Sequence, residues 1–390
     1  MNVVDVLVVL LVAGAAIYGF RLGAMVQVLS LGGFLVGLWL GALMASVTVR
    51  WVHDPNARMA VALVTMLGVA TACGSLGRVI GGLSFRQLHR GLAGSVDSGL
   101  GLVVAVVAAL LALWLLAGTL VDTSSIGLNA AISESRILRS LDDVLPTPPS
   151  VFARVQSFLS AEGFPPVFAG FAPESAAPVA LPGNAELRRA ILAADASTVK
   201  IVGDGCGQIQ EGSGFVVAPG LVVTNAHVVA GIADPTVEDA TGSHGTSVVF
   251  FDPSYDLAVM RVRGLTASPL PLDPGTIARG DPAAVLGFPE GGPFTAVPAG
   301  VMAEFTAQGR DIYGQGLTVR DVYEIQATVR PGNSGGPLVQ PDGKVIGVVF
   351  SRSTTNGDIG YALSSPGVLT RVLRAESATG TLGTGGCTPG

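Results

Sequence analysis

Three short stretches of the chain combine residue types that could carry out nucleophilic catalysis. His227 lies in Thr224-Asn225-Ala226-His227-Val228-Val229, just past an apolar run. Asp256 leads Asp256-Leu257-Ala258-Val259, and Ser334 sits in Pro331-Gly332-Asn333-Ser334-Gly335-Gly336-Pro337-Leu338. A serine hydroxyl is a weak nucleophile at neutral pH and needs an adjacent base. An imidazole fits because it titrates near the working range, and a carboxylate can hold its tautomer and stabilise the imidazolium. The glycines around Ser334 allow a sharp turn, whose Gly332 and Ser334 N–H groups could form an oxyanion hole. Asp252, four residues before Asp256, is the rival carboxylate. His53, His89 and His244 have no such surroundings and read as ordinary surface or core histidines. Each piece alone is commonplace. Their weight comes from standing together in the order His, Asp, Ser.

The elements that must position them are strands. From Thr198 onward, apolar runs of four to eight residues alternate with Gly, Pro, Asp and Asn, as in Val199–Val202, Gly214–Val217, Leu221–Val223, Val248–Phe251, Leu257–Val262, Ala283–Leu286, Val297–Val301, Tyr323–Ala327, Leu338–Val339 and Val345–Phe350. Short strands at this spacing predict an all-β antiparallel barrel or sandwich.

The N-terminal part is different. The 390 residues are 49% hydrophobic and 13% charged with net charge −6, and the mean hydropathy is +0.58. Soluble domains carry about 25% charged residues, so a wholly soluble chain is excluded. Residues 1–120 hold six Arg and three Asp without Lys or Glu, a net +3, so the remaining 270 residues carry −9. No basic stripe exists to neutralise phosphates, which argues against nucleic acid as a partner. Four apolar stretches, Val3–Phe20, Met25–Val47, Met59–Ile80 and Leu100–Val121, each approach the ~20 residues of a membrane-crossing helix. The first lacks a basic leader and carries Asp5, so it reads as a retained span rather than a signal peptide. Arg21, Arg86 and Arg90 bias the first and third loops to the cytoplasm and both termini outside. Gly33, Gly37 and Gly41 form a small-residue stripe, either for packing within the bundle or for an oligomeric or partner contact. Asp97 and Arg78 lie near span ends, where snorkelling or mutual pairing is expected. Cys73 reads as a small hydrophobe.

Residues 122–197 form a linker. A short helix is expected over Asn129–Val144, stopped by Pro146, Pro148 and Pro149. A second would start at Ser150 with Val151, Phe152, Val155, Phe158 and Leu159 on one face. Phe164–Gly183 reads as an extended tether, and Asn184 as the cap of a third helix with Leu187, Ile191 and Leu192 inward. The linker is either a spacer or a segment that packs on the following domain.

The first 120 residues resemble the colicin V production (CvpA) membrane family through Val4-Asp5-Val6-Leu7, Gly19-Phe20-Arg21-Leu22-Gly23 and Asp97-Ser98-Gly99-Leu100-Gly101. The C-terminal domain resembles chymotrypsin-fold serine proteases of the HtrA/Deg-like branch, through Gly212-Ser213-Gly214-Phe215 and the three motifs above, in the His, Asp, Ser order of that fold. The resemblance implies a multidomain chain: an all-α four-helix transmembrane domain over 1–121, the linker over 122–197, and an all-β chymotrypsin-like double β-barrel over 198–390. It also implies a serine endopeptidase with His227, Asp256 and Ser334 as catalytic residues in the cleft between the barrels, and no cofactor or metal. By motif alignment, Ala327–Arg330 (Ala327 and Thr328 first among them), then Val349, Phe350 and Ser351, and then Ile359–Tyr361 would line the substrate pocket. No Asp stands at the pocket base, so a medium apolar P1 residue is expected. Asn333 replaces the Asp that trypsin-like enzymes pair with a freed N-terminus, and after the barrel there is no room for the PDZ domain that HtrA proteins append.

Together the two halves resemble actinobacterial membrane-anchored periplasmic serine proteases, which implies periplasmic or cell-wall protein substrates, a lipid bilayer as second partner, and a role in acid or oxidative stress. Cys206 and Cys387, the cysteines outside the membrane part, are expected to pair in an oxidising compartment rather than stay as thiols. The closed loop of 181 residues would be worth roughly 4–5 kcal/mol by chain entropy, and the bond could tune activity. Two other functions compete: a binding module on a protease-like scaffold, and a membrane domain that is itself the working unit with the protease as its regulator.

Overall fold

A computed structural model describes residues 2–48, 55–88, 92–120, 126–146, 167–275, 277–378 and 380–388. The chain divides into two compact units, Met1–Trp114 and Leu115–Gly390. The first is built from α1 (Val3–Leu22), α2 (Ala24–Thr48), α3 (Pro55–Leu88) and most of α4 (Leu92–Leu120). Each contains a stretch long and apolar enough to cross a bilayer, with mean hydropathy from 1.4 to 2.8. Leu10, Trp39, Val64 and Leu76 point outward, as lipid-facing side chains do. Asp5 caps its own helix, since it and Asn2 close a reciprocal cap on α1 at 3.0 Å in each direction.

The glycine stripe of α2 packs on α3. A Cβ at Gly37 would lie 2.7 Å from Ala70 Cα, and one at Gly41 would lie 2.8 Å from Met66 Cα. Of its two readings, close packing inside the bundle is the one observed. Two of the three CvpA-like motifs meet around the start of α2. Gln27 Nε2 donates to Gly19 O (3.1 Å) and Gly101 O (2.8 Å), and Asp97 Oδ1 accepts the Met25 N–H at 3.0 Å. Asp97 thus serves as a helix cap, while Arg78 is exposed.

The second unit opens with α5 (Ile126–Ser133) and α6 (Arg136–Val144). The one helix expected over 129–144 is broken there because Ser135 leaves helical geometry and caps α6 through the Leu138 N–H. The helix expected from Ser150 lies outside the described residues. Residues 167–183 are extended and pack on the domain. The Ala169 N–H donates to Gln308 O at 2.9 Å, the Ala176 and Val179 N–H groups donate to the Glu324 and Gln326 side chains, and Phe168 stacks on Phe305 and meets Tyr361 edge-on. In α7 (Asn184–Ala194) the N-cap is Gly183, and Glu186 reaches back to its N–H. Leu187 and Ile191 face inward, but Leu192 is 72% exposed. It sits one position too far round the helix, and Ala190 and Ala194 are buried instead.

Twelve strands form two closed six-stranded barrels, β1-β2-β3-β6-β5-β4 and β10-β11-β12-β9-β8-β7. The first comprises β1 (Thr198–Gly205), β2 (Gln208–Ala218), β3 (Leu221–Thr224), β4 (Thr236–Asp239), β5 (Gly242–Asp252) and β6 (Leu257–Val262). The second comprises β7 (Pro282–Gly287), β8 (Thr295–Arg310), β9 (Leu317–Gln326), β10 (Pro337–Val339), β11 (Val345–Arg352) and β12 (Ile359–Ser364). The apolar runs missed β4, a four-residue Thr-Val-Glu-Asp, and β12, broken by Gly360. A four-residue helix, α8 (Ala226–Val229), follows β3, and α9 (Ser365–Glu376) follows β12.

Period-2 alternation divides the side chains between cores. Val222, Ala258 and Met260 fill the first barrel, and Val285, Ile325 and Ile346 fill the second. Their neighbours Leu221, Val223, Leu257 and Val259 join Phe215, Leu286, Val348 and Phe350 in a third cluster that spans both barrels.

Cys206 and Cys387 are bonded, with Cα atoms 5.7 Å apart. The bond ties the tail to the first barrel, as do Leu382 N–H to Val248 O (2.8 Å) and Thr384 Oγ1 to Ile232 O (2.7 Å). Replacing both cysteines by Ala should lower the melting temperature by about 5–15 °C, from an upper figure of about 5 kcal/mol for the loop. Calorimetry with and without reductant checks this, because the double variant should no longer respond to reductant.

Candidate active site

The first barrel supplies a histidine and a carboxylate already in contact. His227 is carried by α8, the single helical turn that begins directly after β3. Its Nδ1 lies 2.8 Å from Asp256 Oδ2 and 3.0 Å from Oδ1, and its backbone N–H donates to Oδ1 at 3.0 Å. The Asp256 side chain is fully buried and that of His227 is 9% exposed. A carboxylate against Nδ1 fixes the tautomer that donates from Nδ1 and leaves Nε2 free to accept a proton.

Asp256 sits in the left-handed region, φ +67°, a conformation that costs a non-glycine residue free energy and must be held. Its carbonyl accepts Asn225 Nδ2 at 2.8 Å. Its N–H donates to Asp252 O at 2.9 Å. Asp252 Oδ1 accepts the Ser254 and Tyr255 N–H groups, and Oδ2 accepts Arg371 Nε at 3.0 Å. Asp252, the rival carboxylate, therefore shapes the turn and does not touch His227. His244 pairs with Asp239 at 3.0 Å, away from this site. His53 and His89 lie outside the described residues.

Ser334 comes from the connection between β9 and β10. It follows a turn over Arg330–Asn333 closed by Asn333 N–H to Arg330 O at 3.0 Å, with Gly332 at φ +89°. Proline second and a positive-φ glycine third define a type II turn; a type I turn would reverse its central peptide. The Pro331 carbonyl accepts the Glu290 N–H at 2.7 Å. Because the peptide is trans, the Gly332 N–H points the opposite way. A Cβ at Gly332 would stand 2.5 Å from Phe288 O, so glycine is required for close approach as well as for φ.

A residue given no role by the sequence completes the turn. Ser213, fully buried in β2, donates from Oγ to Gly332 O at 2.7 Å and accepts the Phe288 N–H at 2.9 Å. Its own N–H donates to Ser334 O at 2.8 Å. The available signal was its place in the Gly212-Ser213-Gly214-Phe215 motif, which carries no chemistry when read alone. The site's parts thus come from both barrels, and they can supply a nucleophile, a base with its orienting carboxylate, and aligned N–H donors.

The pocket residues divide. Val349 lies beside the serine turn, since Gly335 N–H donates to Val349 O and Val349 N–H donates to Gly336 O. Val349 and Phe350 are fully buried in the cores, and Ala327 and Ser351 nearly so. Thr328 is exposed, near Asp358 Oδ1 at 3.4 Å. Among the described residues no group of His, Cys, Asp and Glu could hold a metal.

Comparison with known proteins follows the same division. Residues 212–348 match a trypsin-like peptidase domain and residues 4–146 match the colicin V production protein family. Serine protease Rv3671c of Mycobacterium tuberculosis is 36% identical over 98% of this chain and 98% of its own length. The crystal structure of the active form of the M. tuberculosis Rv3671c protease superposes with a TM-score of 0.54 at 38% identity, covering 56% of this chain and 97% of that one. The bovine mitochondrial serine protease HTRA2 is 36% identical over 46% of this chain and 39% of its own length.

Ser213→Ala should lower kcat by roughly tenfold or more with little change in KM, because the Arg330–Asn333 turn before Ser334 loses its buried tie. Gly332→Ala should cost on the order of 10²–10³ in kcat. Steady-state kinetics on a peptide ester, with thermal melts to confirm folding, check both.

Proposed function

Because the chain belongs to the family of the serine protease Rv3671c, we propose that it is an endopeptidase whose catalytic residues are His227, Asp256 and Ser334. The observation that carries this reading is the Nδ1 contact of His227 with a fully buried Asp256 carboxylate at 2.8 Å. In this reading Nε2 of His227 takes the proton from the Ser334 hydroxyl as the oxygen attacks the scissile carbonyl. The imidazolium, stabilised by Asp256, then returns the proton to the leaving amine. The N–H groups of Gly332 and Ser334 stabilise the tetrahedral oxyanion. Water then hydrolyses the acyl-enzyme by the same route in reverse.

In the same reading the membrane-crossing domain of 1–121 anchors and the protease domain of 198–390 cleaves, joined by the linker of 122–197, whose residues 167–183 pack on the second barrel. The arginine bias puts both termini and the protease on the extracytoplasmic side. Its substrates would be periplasmic or cell-wall proteins, its own linker among them, and its role the tolerance of acid or oxidative stress at the envelope. The Cys206–Cys387 bond fits an oxidising compartment. The absence of an Asp at the pocket base favours a medium apolar P1 residue. A cleavage screen with strong Lys or Arg preference would overturn that specificity.

A fluorophosphonate probe tests the catalytic reading. Labelling of the full chain in detergent, under oxidising conditions and from mildly acidic to neutral pH, should require Ser334 and vanish in Ser334→Ala. Equal labelling of wild type and variant, or none of either, rejects it in favour of a binding module on a protease-like scaffold.

A further inference from the structure

Asp256 belongs to the first barrel, yet the turn that carries it is gripped from the second. Ile312 N–H donates to Pro253 O at 3.1 Å. Ser254 O accepts both Thr318 Oγ1 at 2.8 Å and Arg320 Nε at 2.9 Å, from β9. Arg371 of α9 binds Asp252 and lies over the Tyr255 ring, 3.3 Å from its centroid. Arg320 stands out among these because it is an arginine only 2% exposed. Its Nη2 donates to Arg310 O at 2.7 Å, its Cζ stands 6.0 Å from the Phe350 ring centroid, and Nη1 has no hydrogen-bond partner among the described residues.

A buried guanidinium that is not fully hydrogen-bonded is costly, so nearby negative charge must offset it. Burial holds the Arg320 guanidinium below its ordinary range, and the Asp256 carboxylate is the strongest of the charges that oppose this. Asp252 and Asp311 follow, whereas the Tyr255 phenol, which burial pushes up to about 12, stays neutral. Of the three carboxylates, Asp256 is the one in contact with His227.

We propose that Arg320 is a positioning residue for the Asp256–His227 pair: it fixes the strained 252–256 turn through Ser254 O and opposes the imidazolium with its charge. The role rests on the catalytic reading above. Ser254 O lies two residues from Asp256, so a shift of the turn moves the carboxylate directly. Arg320 itself touches no reacting atom. It makes the geometry of the first barrel's half of the site depend on the docking of the second.

Three variants of the full chain in detergent test this. Arg320→Gln keeps donors but removes the charge. It should lower kcat about tenfold or more with KM within about twofold. The acid limb of kcat/KM should move to higher pH by about half a unit or more, because the imidazolium loses an opposing charge. Arg320→Lys keeps a charge but loses the planar fork, so kcat should fall while the limb stays. Thr318→Val removes the neutral donor and should leave the limb in place. A lowered melting temperature with kcat and the acid limb unchanged would reduce Arg320 to a structural residue and overturn the proposal. If Arg320→Gln does not fold, an unchanged kcat in Arg320→Lys overturns it equally. Failure of the catalytic reading is told apart by titrating His227 through ¹⁵N-histidine NMR in a Ser334→Ala background, which needs no activity. There Arg320→Gln should still raise the protonation midpoint, and an unmoved midpoint rejects the proposal.

Discussion

The apolar seam between the two barrels is the constraint on which the rest of the protease domain depends. Phe215, Val223, Leu257 and Val259 from one barrel and Leu286, Val348 and Phe350 from the other share a single dry cluster. Burial of that surface is the main favourable contribution holding the barrels together. Each polar contact that matters at the site crosses or borders this seam: Ser213 reaches the Gly332 carbonyl, and Arg320 reaches the Ser254 carbonyl. Hydrogen bonds contribute only about 1 kcal/mol each when exchanged with water. They hold strained turns here because packing has already brought their partners together and excluded solvent.

Two such turns lie at the centre. Asp256 at φ +67° and Gly332 at φ +89° both occupy left-handed conformations, one at the carboxylate beside His227 and the other in the turn before Ser334. Asp256 is strained in its conformation and is bound on several sides, from Asn225, Asp252 and the second barrel. Gly332 has no Cβ to strain, and its turn is fixed by Ser213 and by the Glu290 N–H. Strain at the carboxylate and freedom at the glycine serve one end, which is to aim a small number of atoms.

The membrane domain follows a different logic. Without water to drive helix association, close approach and shared polar groups take over. The Gly33, Gly37 and Gly41 stripe lets α3 come against the α2 backbone. Gln27 and Asp97 satisfy backbone groups where α1, α2 and α4 meet. Gly19, Asp97 and Gly101, from two of the motifs that marked the family in the sequence, stand at these meeting points.

The four apolar spans, the β-rich C-terminal half and the His, Asp, Ser motifs were all legible in the sequence, because hydrophobic period and turn chemistry are local properties. Their local character also sets the limit. The motif around Asp256 already favoured it over Asp252, four residues earlier, but only the folded chain gave Asp252 its own place, in the turn and against Arg371. Read alone, the sequence offered no reason to notice Arg320 or Arg371 and no role for Ser213 within its motif, because their partners lie 66, 119 and 119 residues away. The linker stood open between spacer and docked segment until residues 167–183 were found against the second barrel, and Leu192 needed the helix's actual rotation to be seen as exposed. Local patterning determined which elements form and which side chains can do chemistry. Closure of the two barrels decided which atoms meet, because only that packing brings residues a hundred positions apart within hydrogen-bonding distance and removes the water between them.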